Sequence, residues 1–304
     1  MYPNTISIEV TNNCNNQCLI CPHGYNLFIK KGYMTKELYL KILDDIDFLK
    51  YDLNLELHGI GEPLLHAELY DFVRIAKERG FRVTICSNAI LLNEKNSKKI
   101  VDSGIDKIII SLETKENYEK IRCINIYDYV LNNVIHIADE YPSVELEIYM
   151  ISVKSHELDN FENFKKQFKG KKINFNHFYA SDWCGKVPFE GLATKSGKYV
   201  KKSVCPLFIH YCSIDYEGLL RHCYLDFNSE NLYGDLNTTS FKKIWKSEIR
   251  QSIIEKMSSG LFNSFKPCCD CVYPFTNNPD EISVSDEDLN RPEMQLLSKI
   301  KQHS

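Results

Sequence analysis

No stretch of this 304-residue chain approaches the roughly 20 consecutive apolar residues that a membrane-spanning helix needs. The opening residues, MYPNTISIEV, have neither a basic n-region nor an apolar h-region, so no signal peptide is expected. There is no excess of positive charge: 37 Lys and Arg stand against 41 Asp and Glu, a formal charge of −4. That balance offers nothing to nucleic acid or to an anionic membrane, and neither is expected as a partner. Internal repeats and low-complexity tracts are absent. Hydrophobic residues at 43% and charged residues at 26% exclude a wholly disordered chain. The expectation is a cytoplasmic protein of one large domain or two.

Cysteine is not scarce. Twelve is a high count for a cytosolic chain, where disulfides are rare and such patterns are more often metal-binding or catalytic. They fall at 14, 18 and 21, at 86, 123 and 184, at 205, 212 and 223, and at 268, 269 and 271. The first and last groups are tight clusters. Those at 86, 123 and 184 show no ligand spacing.

Between residues 5 and 180 apolar strands alternate with amphipathic helices. Strands are expected at 5–10, 53–58, 81–86, 107–112, 144–153 and 173–179. Helices are expected at 34–48, 69–79, 94–102, 127–139 and 157–168, with Thr35 as the N-cap of the first. Lys107–Leu112 is a continuous apolar run of the kind buried on both faces of a parallel sheet. Such alternation implies right-handed βαβ units. The fold class is therefore α/β, a partial (β/α)6 barrel with too few units to close a (β/α)8 barrel. Chemistry in such folds gathers at the C-terminal ends of the strands. After residue 185 the alternation stops. A linker is expected at 186–204 and a small cysteine-rich domain at 205–280. That domain holds a hairpin of strands at 209–214 and 219–224 about Asp215–Gly218 and a helix over 241–257. A tail follows at 281–304, with a helical stretch at 292–302.

Cys14, Cys18 and Cys21 follow the first strand with the spacing C-x3-C-x2-C. Three thiolates this close can converge on one zinc ion or iron–sulfur cluster. Three ligands rather than four would leave one iron of a 4Fe–4S cube open. His58-Gly59-Ile60-Gly61-Glu62-Pro63 follows the second strand, Ser87-Asn88-Ala89 the third, and Ser111-Leu112-Glu113 ends the fourth. Tyr118-Glu119-Lys120-Ile121-Arg122 lies just beyond. Each alone is a weak signal, but their order along successive strands resembles the radical S-adenosylmethionine (SAM) superfamily. The resemblance implies a 4Fe–4S cluster on the three cysteines, with SAM chelating the open iron. It also implies SAM contacts from Gly59, Gly61, Glu62, Pro63, Ser87, Asn88, Ser111, Glu113 and Arg122. In that family reductive cleavage of SAM yields a 5′-deoxyadenosyl radical that takes a hydrogen atom from substrate. The chain departs from the family pattern in several places. Ile20 replaces an aromatic residue, Ala89 the glycine of Thr-Asn-Gly, and Cys123 the glycine after Arg122.

Cys205, Cys223, Cys268 and Cys271 stand as C-x17-C-x44-C-x2-C, with Tyr233-Gly234-Asp235-Leu236 and Ile244-Trp245 between. The set resembles the SPASM/twitch domains of radical SAM enzymes and implies an auxiliary 4Fe–4S cluster. A structural four-cysteine zinc site is the other reading. The short form is similar to that of 2-deoxy-scyllo-inosamine dehydrogenases. That implies a small polar substrate (a sugar, cyclitol or aminoglycoside), oxidation of an alcohol, and a flavodoxin- or ferredoxin-like reductant. Asp182 is the candidate base. Cys212 and Cys269 are candidate extra ligands, or hydrogen-atom donors if the enzyme is instead an epimerase. Modification of a peptide is a further alternative. It is less expected because such enzymes often carry an additional N-terminal peptide-recognition domain, whereas here only Met1 to Asn4 precede the first strand. A non-enzymatic metal-binding module would not need the ordered SAM motifs.

Overall fold

The computed structural model describes residues 2–153, 161–189 and 204–271. The start of the helix expected at 157–168, most of the 186–204 linker and the tail with its 292–302 helix lie outside the described residues.

The strands are β1 (Thr5–Ile8), β2 (Asn54–Glu56), β3 (Arg82–Ser87), β4 (Lys107–Ser111), β5 (Glu145–Ser152), β6 (Ile173–Tyr179), β7 (Tyr211–Ile214), β8 (Leu219–Arg221) and β9 (Leu232–Asp235). The helices are α1 (Lys36–Ile46), α2 (Leu69–Glu78), α3 (Glu94–Asp102), α4 (Lys115–Arg122), α5 (Tyr127–Glu140), α6 (Phe161–Lys166), α7 (Pro206–His210), α8 (Phe241–Trp245) and α9 (Glu248–Ser258). Local chemistry explains the boundaries. The Thr35 hydroxyl accepts from Leu38 N at 3.2 Å and starts α1, and Asn93 caps α3 through Asn96 N at 3.1 Å. Helix α2 buries Leu69, Phe72, Val73 and Ala76, one face at helical spacing. In β4 all three isoleucines are buried, as a strand covered on both faces requires.

Among the described residues the strands form one sheet in the order β6-β5-β4-β3-β2-β1-β7-β8-β9. β1 to β6 are parallel throughout, as the βα alternation predicts. The sheet does not end at β1. β7 joins it in parallel, with Thr5 opposite Tyr211, and β8 and β9 continue antiparallel. The cysteine-rich segment thus extends the sheet of the barrel.

Three local expectations are corrected. Ile209 and His210 belong to α7, because Pro206 opens a helical turn before the hairpin. The helix expected over 241–257 is two helices, since Ser247 accepts from Arg250 N at 3.3 Å and restarts the chain as α9. A helix not expected, α4, carries Tyr118 to Arg122 and ends at Cys123, whose φ is 55°.

Candidate functional site

The loop after β1 is pinned before it reaches the cysteines. The Thr11 hydroxyl donates to Gly32 O at 2.6 Å, and Asn12 donates to Lys30 O at 2.8 Å and accepts from Gly32 N at 2.9 Å. Cys14, Cys18 and Cys21 then line one wall of a cavity of about 480 Å³. Burial pushes the Cys14 thiol up to about 11 and the Cys21 thiol higher still, and each of the two also feels Cys18. Around Cys18 lie Ile20, Ile121, Val153, Ala180 and Val187, an apolar collar that excludes water. Trp183 packs on this collar and donates from Nε1 to Ile20 O at 2.8 Å. The aromatic ring missing at position 20 is therefore supplied to this wall from the segment after β6.

Most of the motif residues close around the same loop. A Cβ on Gly61 would overlap the carbonyl oxygens of Thr11 and Asn13, and Glu62 N donates to Asn13 O at 2.8 Å. The close approach that glycine permits is to the thiol loop itself. The Glu62 carboxylate accepts from the Ser87 hydroxyl at 2.9 Å, Leu64 N at 3.1 Å and Asn88 N at 2.8 Å. Burial raises its pKa to about 7. Asn88 in turn donates to Asn15 at 2.8 Å and reaches Cys14 Sγ at 3.8 Å. Arg122 donates to Glu113 from Nε at 2.9 Å and Nη2 at 2.5 Å, and from Nη1 to Cys18 Sγ at 3.4 Å. Its bidentate partner is thus the protein's own carboxylate. Gly59, Gly61, Glu62, Ser87, Asn88, Ser111 and Arg122 line the cavity, whereas Pro63 and Glu113 lie behind its wall.

The same cavity is lined by residues that motif reasoning did not assign to the site. Glu56, His58, Tyr211 and Arg221 line it, as does Cys86, whose Sγ lies 3.7 Å from the Ser111 hydroxyl. Glu56 accepts from Asn54 Nδ2 at 3.1 Å and from the Tyr211 hydroxyl at 3.3 Å, with His58 Nε2 at 3.4 Å. Burial raises Glu56 to about 7 and lowers His58 to about 4. Arg221 is fully buried, pairs with Glu9 at 3.0 Å and donates to the Ser213 hydroxyl at 2.8 Å, leaving Nη1 without a partner. The signal was present in the sequence. In Leu53-Asn54-Leu55-Glu56-Leu57-His58 polar residues alternate with fully packed leucines, so one face of β2 points away from the core.

Cys205, Cys223, Cys268 and Cys271 also come together: burial raises Cys223, and the other three thiols raise it further. His222 Nε2 lies 3.2 Å from Cys268 Sγ. Cys184 joins this group through a hydrogen bond with Cys271 that raises its pKa, although its sequence position shows no ligand spacing. Asp182, Cys212 and Cys269 do not line the cavity. Burial raises the pKa of the Asp182 carboxyl, and its Oδ1 has no hydrogen-bond partner among the described residues. Cys212 is buried 3.8 Å from the Tyr233 hydroxyl, and Cys269 bonds to Asp270 at 3.2 Å. Among the described residues, no three His, Cys, Asp or Glu sit close enough to hold a single metal ion. Thiolates are the donors of iron–sulfur clusters, so both cysteine sets fit that group by donor chemistry. No described helix is long and apolar enough to cross a membrane.

The radical SAM superfamily model matches residues 8–164, half of the chain, and the chain belongs to that superfamily. The SPASM model, an iron–sulfur cluster-binding domain, matches residues 205–272. The family's cofactors are a 4Fe–4S cluster and SAM, with auxiliary iron–sulfur in the SPASM domain. Curated relatives include the tungsten-containing aldehyde ferredoxin oxidoreductase cofactor-modifying protein of Pyrococcus furiosus, 34% identical over 35% of this chain and 30% of that one. The S-adenosyl-L-methionine-dependent 2-deoxy-scyllo-inosamine dehydrogenase of Niallia circulans is 25% identical over 57% of this chain and 79% of its own. The chain thus spans under a third of the first relative and most of the second. Among solved structures, BtrN in complex with AdoMet and 2-DOIA is similar at TM-score 0.65 and 19% identity, over 91% of this chain and 96% of that one. Streptococcus suis SuiB bound to precursor peptide SuiA reaches the same TM-score at 12% identity, over 85% and 67%. Both likenesses are of fold, and they span a small-molecule and a peptide complex.

Proposed function

We propose that this enzyme removes a hydrogen atom from a hydroxyl-bearing carbon of a small polar substrate, a sugar, cyclitol or aminoglycoside, and oxidises the alcohol to a ketone. One observation carries the reading. The same cavity is lined by the three thiols of the first loop and by the polar side chains of Glu56, His58, Tyr211 and Arg221. In this reading Cys14, Cys18 and Cys21 hold the SAM-binding 4Fe–4S cluster, and Cys205, Cys223, Cys268 and Cys271 hold an auxiliary one. When bound, these groups supply the electron that cleaves SAM, the hydrogen-abstracting radical and a one-electron acceptor. The chain's own residues place and protect the reactants. Glu62 fixes Ser87 and Asn88 against the loop. Glu113 holds Arg122 beside Cys18, where its guanidinium offers positive charge to a carboxylate ligand. Ile20, Val153 and Trp183 keep water from that loop. The electron would come from a flavodoxin- or ferredoxin-like reductant.

The test is anaerobic reconstitution. About eight irons per chain are expected, falling to about four in the variant that replaces Cys14, Cys18 and Cys21 by alanine, with SAM cleavage only in the wild type. Assay with 2-deoxy-scyllo-inosamine and related cyclitols should then give 5′-deoxyadenosine and a ketone in equal amounts. A product of unchanged mass would sink oxidation. It would favour a second reading, epimerisation, for which the structure offers Cys86 in place of Cys212 and Cys269. The Cys86 thiol lines the cavity, and burial lifts it to about 12, so it keeps its hydrogen. In that case solvent deuterium enters the product and is lost in Cys86→Ala.

A further inference from the structure

We propose that Glu56 is the catalytic residue that takes the hydroxyl proton of the substrate alcohol, with Tyr211 and Asn54 as its positioning residues. The inference rests on the alcohol-oxidation reading above and assigns the base which that reaction lacks once Asp182 is found outside the cavity.

Among the described residues, two carboxylates line the cavity, Glu56 and Glu62. Both oxygens of Glu62 are committed to the end of β3 and to Leu64. Behind the wall, Glu113 is bound to Arg122 and Glu9 to Arg221, so neither carboxylate is available to a substrate proton. Glu56 differs in its partners. Tyr211 and Asn54 donate to it as neutral groups, and His58 beside it is held neutral by burial. The charged and titratable groups that reach Glu56 from the neighbouring strands are Lys107 on β4, Cys86 on β3 and Tyr211 on β7. Lys107 has its ammonium on Glu145 and Glu147. No Arg or Lys salt bridge to Glu56 occurs among the described residues. The Glu56 side chain is 15% exposed, as is that of His58. A carboxylate in such surroundings binds a proton more readily than one in water. Its affinity near pH 7 suits a group that must accept a proton and release it each cycle.

The hydrogen atom leaves the substrate carbon and ends on 5′-deoxyadenosine. The hydroxyl proton passes to the Glu56 carboxylate, the remaining electron goes to an oxidised iron–sulfur acceptor, and the carbonyl forms. Glu56 then returns its proton to solvent.

The reconstituted wild type is compared with Glu56→Gln, Glu56→Asp and Tyr211→Phe, using 2-deoxy-scyllo-inosamine deuterated at the reacting carbon. Glu56→Gln should still carry deuterium into 5′-deoxyadenosine while ketone falls by about 100-fold or more, and Glu56→Asp should recover part of it. Ketone formation unchanged in Glu56→Gln, or deuterium transfer lost in step with ketone, would overturn the assignment. A second readout needs no turnover. Infrared difference spectra of the holoenzyme should show a carboxyl band absent from Glu56→Gln that titrates near pH 7 and shifts when the cyclitol is added. A band that ignores the cyclitol overturns the proposal. A band that shifts while the wild type makes no 5′-deoxyadenosine leaves the Glu56 contact standing and refutes the reaction assigned above.

Discussion

Glu56 makes a thermodynamic prediction of its own. Its folded pKa of about 7 lies above the ordinary 4.5, so between those values the folded chain holds the proton more tightly than the unfolded chain. Stability contributed by this group is present at low pH and is lost as pH rises through about 7. Glu56→Gln removes that dependence. It should match the wild type in thermal unfolding near pH 5 and exceed it near pH 8 by about 1–3 kcal/mol. Two other residues explain how departures from the family motif are absorbed. Ala89 and Cys123 stand where the family has glycine, and their φ values are 57° and 55°. The backbone keeps the left-handed turn and bears the strain of a Cβ, about 1–2 kcal/mol each. Ala89→Gly and Cys123→Gly should therefore leave iron content intact and shift thermal stability by no more than about 1 kcal/mol, since glycine's added chain entropy offsets the relief.

At the scale of elements, glycine sets how closely segments approach. A Cβ on Gly234 in β9 would overlap the side chain of Ile244 in α8. This contact gives a physical reason for a glycine in the strand and an isoleucine in the following helix. Gly234→Ala should cost about 1–3 kcal/mol by overpacking, seen as a lower denaturant midpoint. Gly61 performs the same service for chemistry, because its strand-end loop lies on the backbone of the thiol loop. Gly61→Ala is expected to push that loop away. The loss should show in the first cysteine set, with iron falling by about half on reconstitution while the C-terminal site loads normally. Element boundaries were less legible than element existence. Alternation marked every strand of the barrel, but the break at Ser247 was hidden because residues 241–257 keep helical spacing across it.

For the whole molecule, the sheet makes the barrel and the cysteine-rich segment one object. β7 lies against β1, and Cys205 and Cys223 bracket the β7–β8 hairpin in sequence. Metal held there would stabilise the edge on which β1 also depends. Stripping iron with a chelator should speed amide exchange first in β7 and β8, then in β1, and leave β3 and β4 protected. Equal exchange in loaded and stripped protein would show that the C-terminal site contributes nothing to the sheet.

The sequence by itself determined the parallel βα order, the thiol loop and the four spaced cysteines near the C-terminus. Those features are local: hydrophobic period and ligand spacing are written in neighbouring residues. Only the tertiary structure decided what faces the cavity. It brought Tyr211 to Glu56 across 155 positions, placed Trp183 over Ile20, set Cys184 beside Cys271 and kept Asp182, Cys212 and Cys269 out of the cavity. The physical reason is the sheet register. Which side chains meet in the lumen depends on how β1, β2 and β7 pair, and that pairing is settled by packing among distant segments rather than by any one of them.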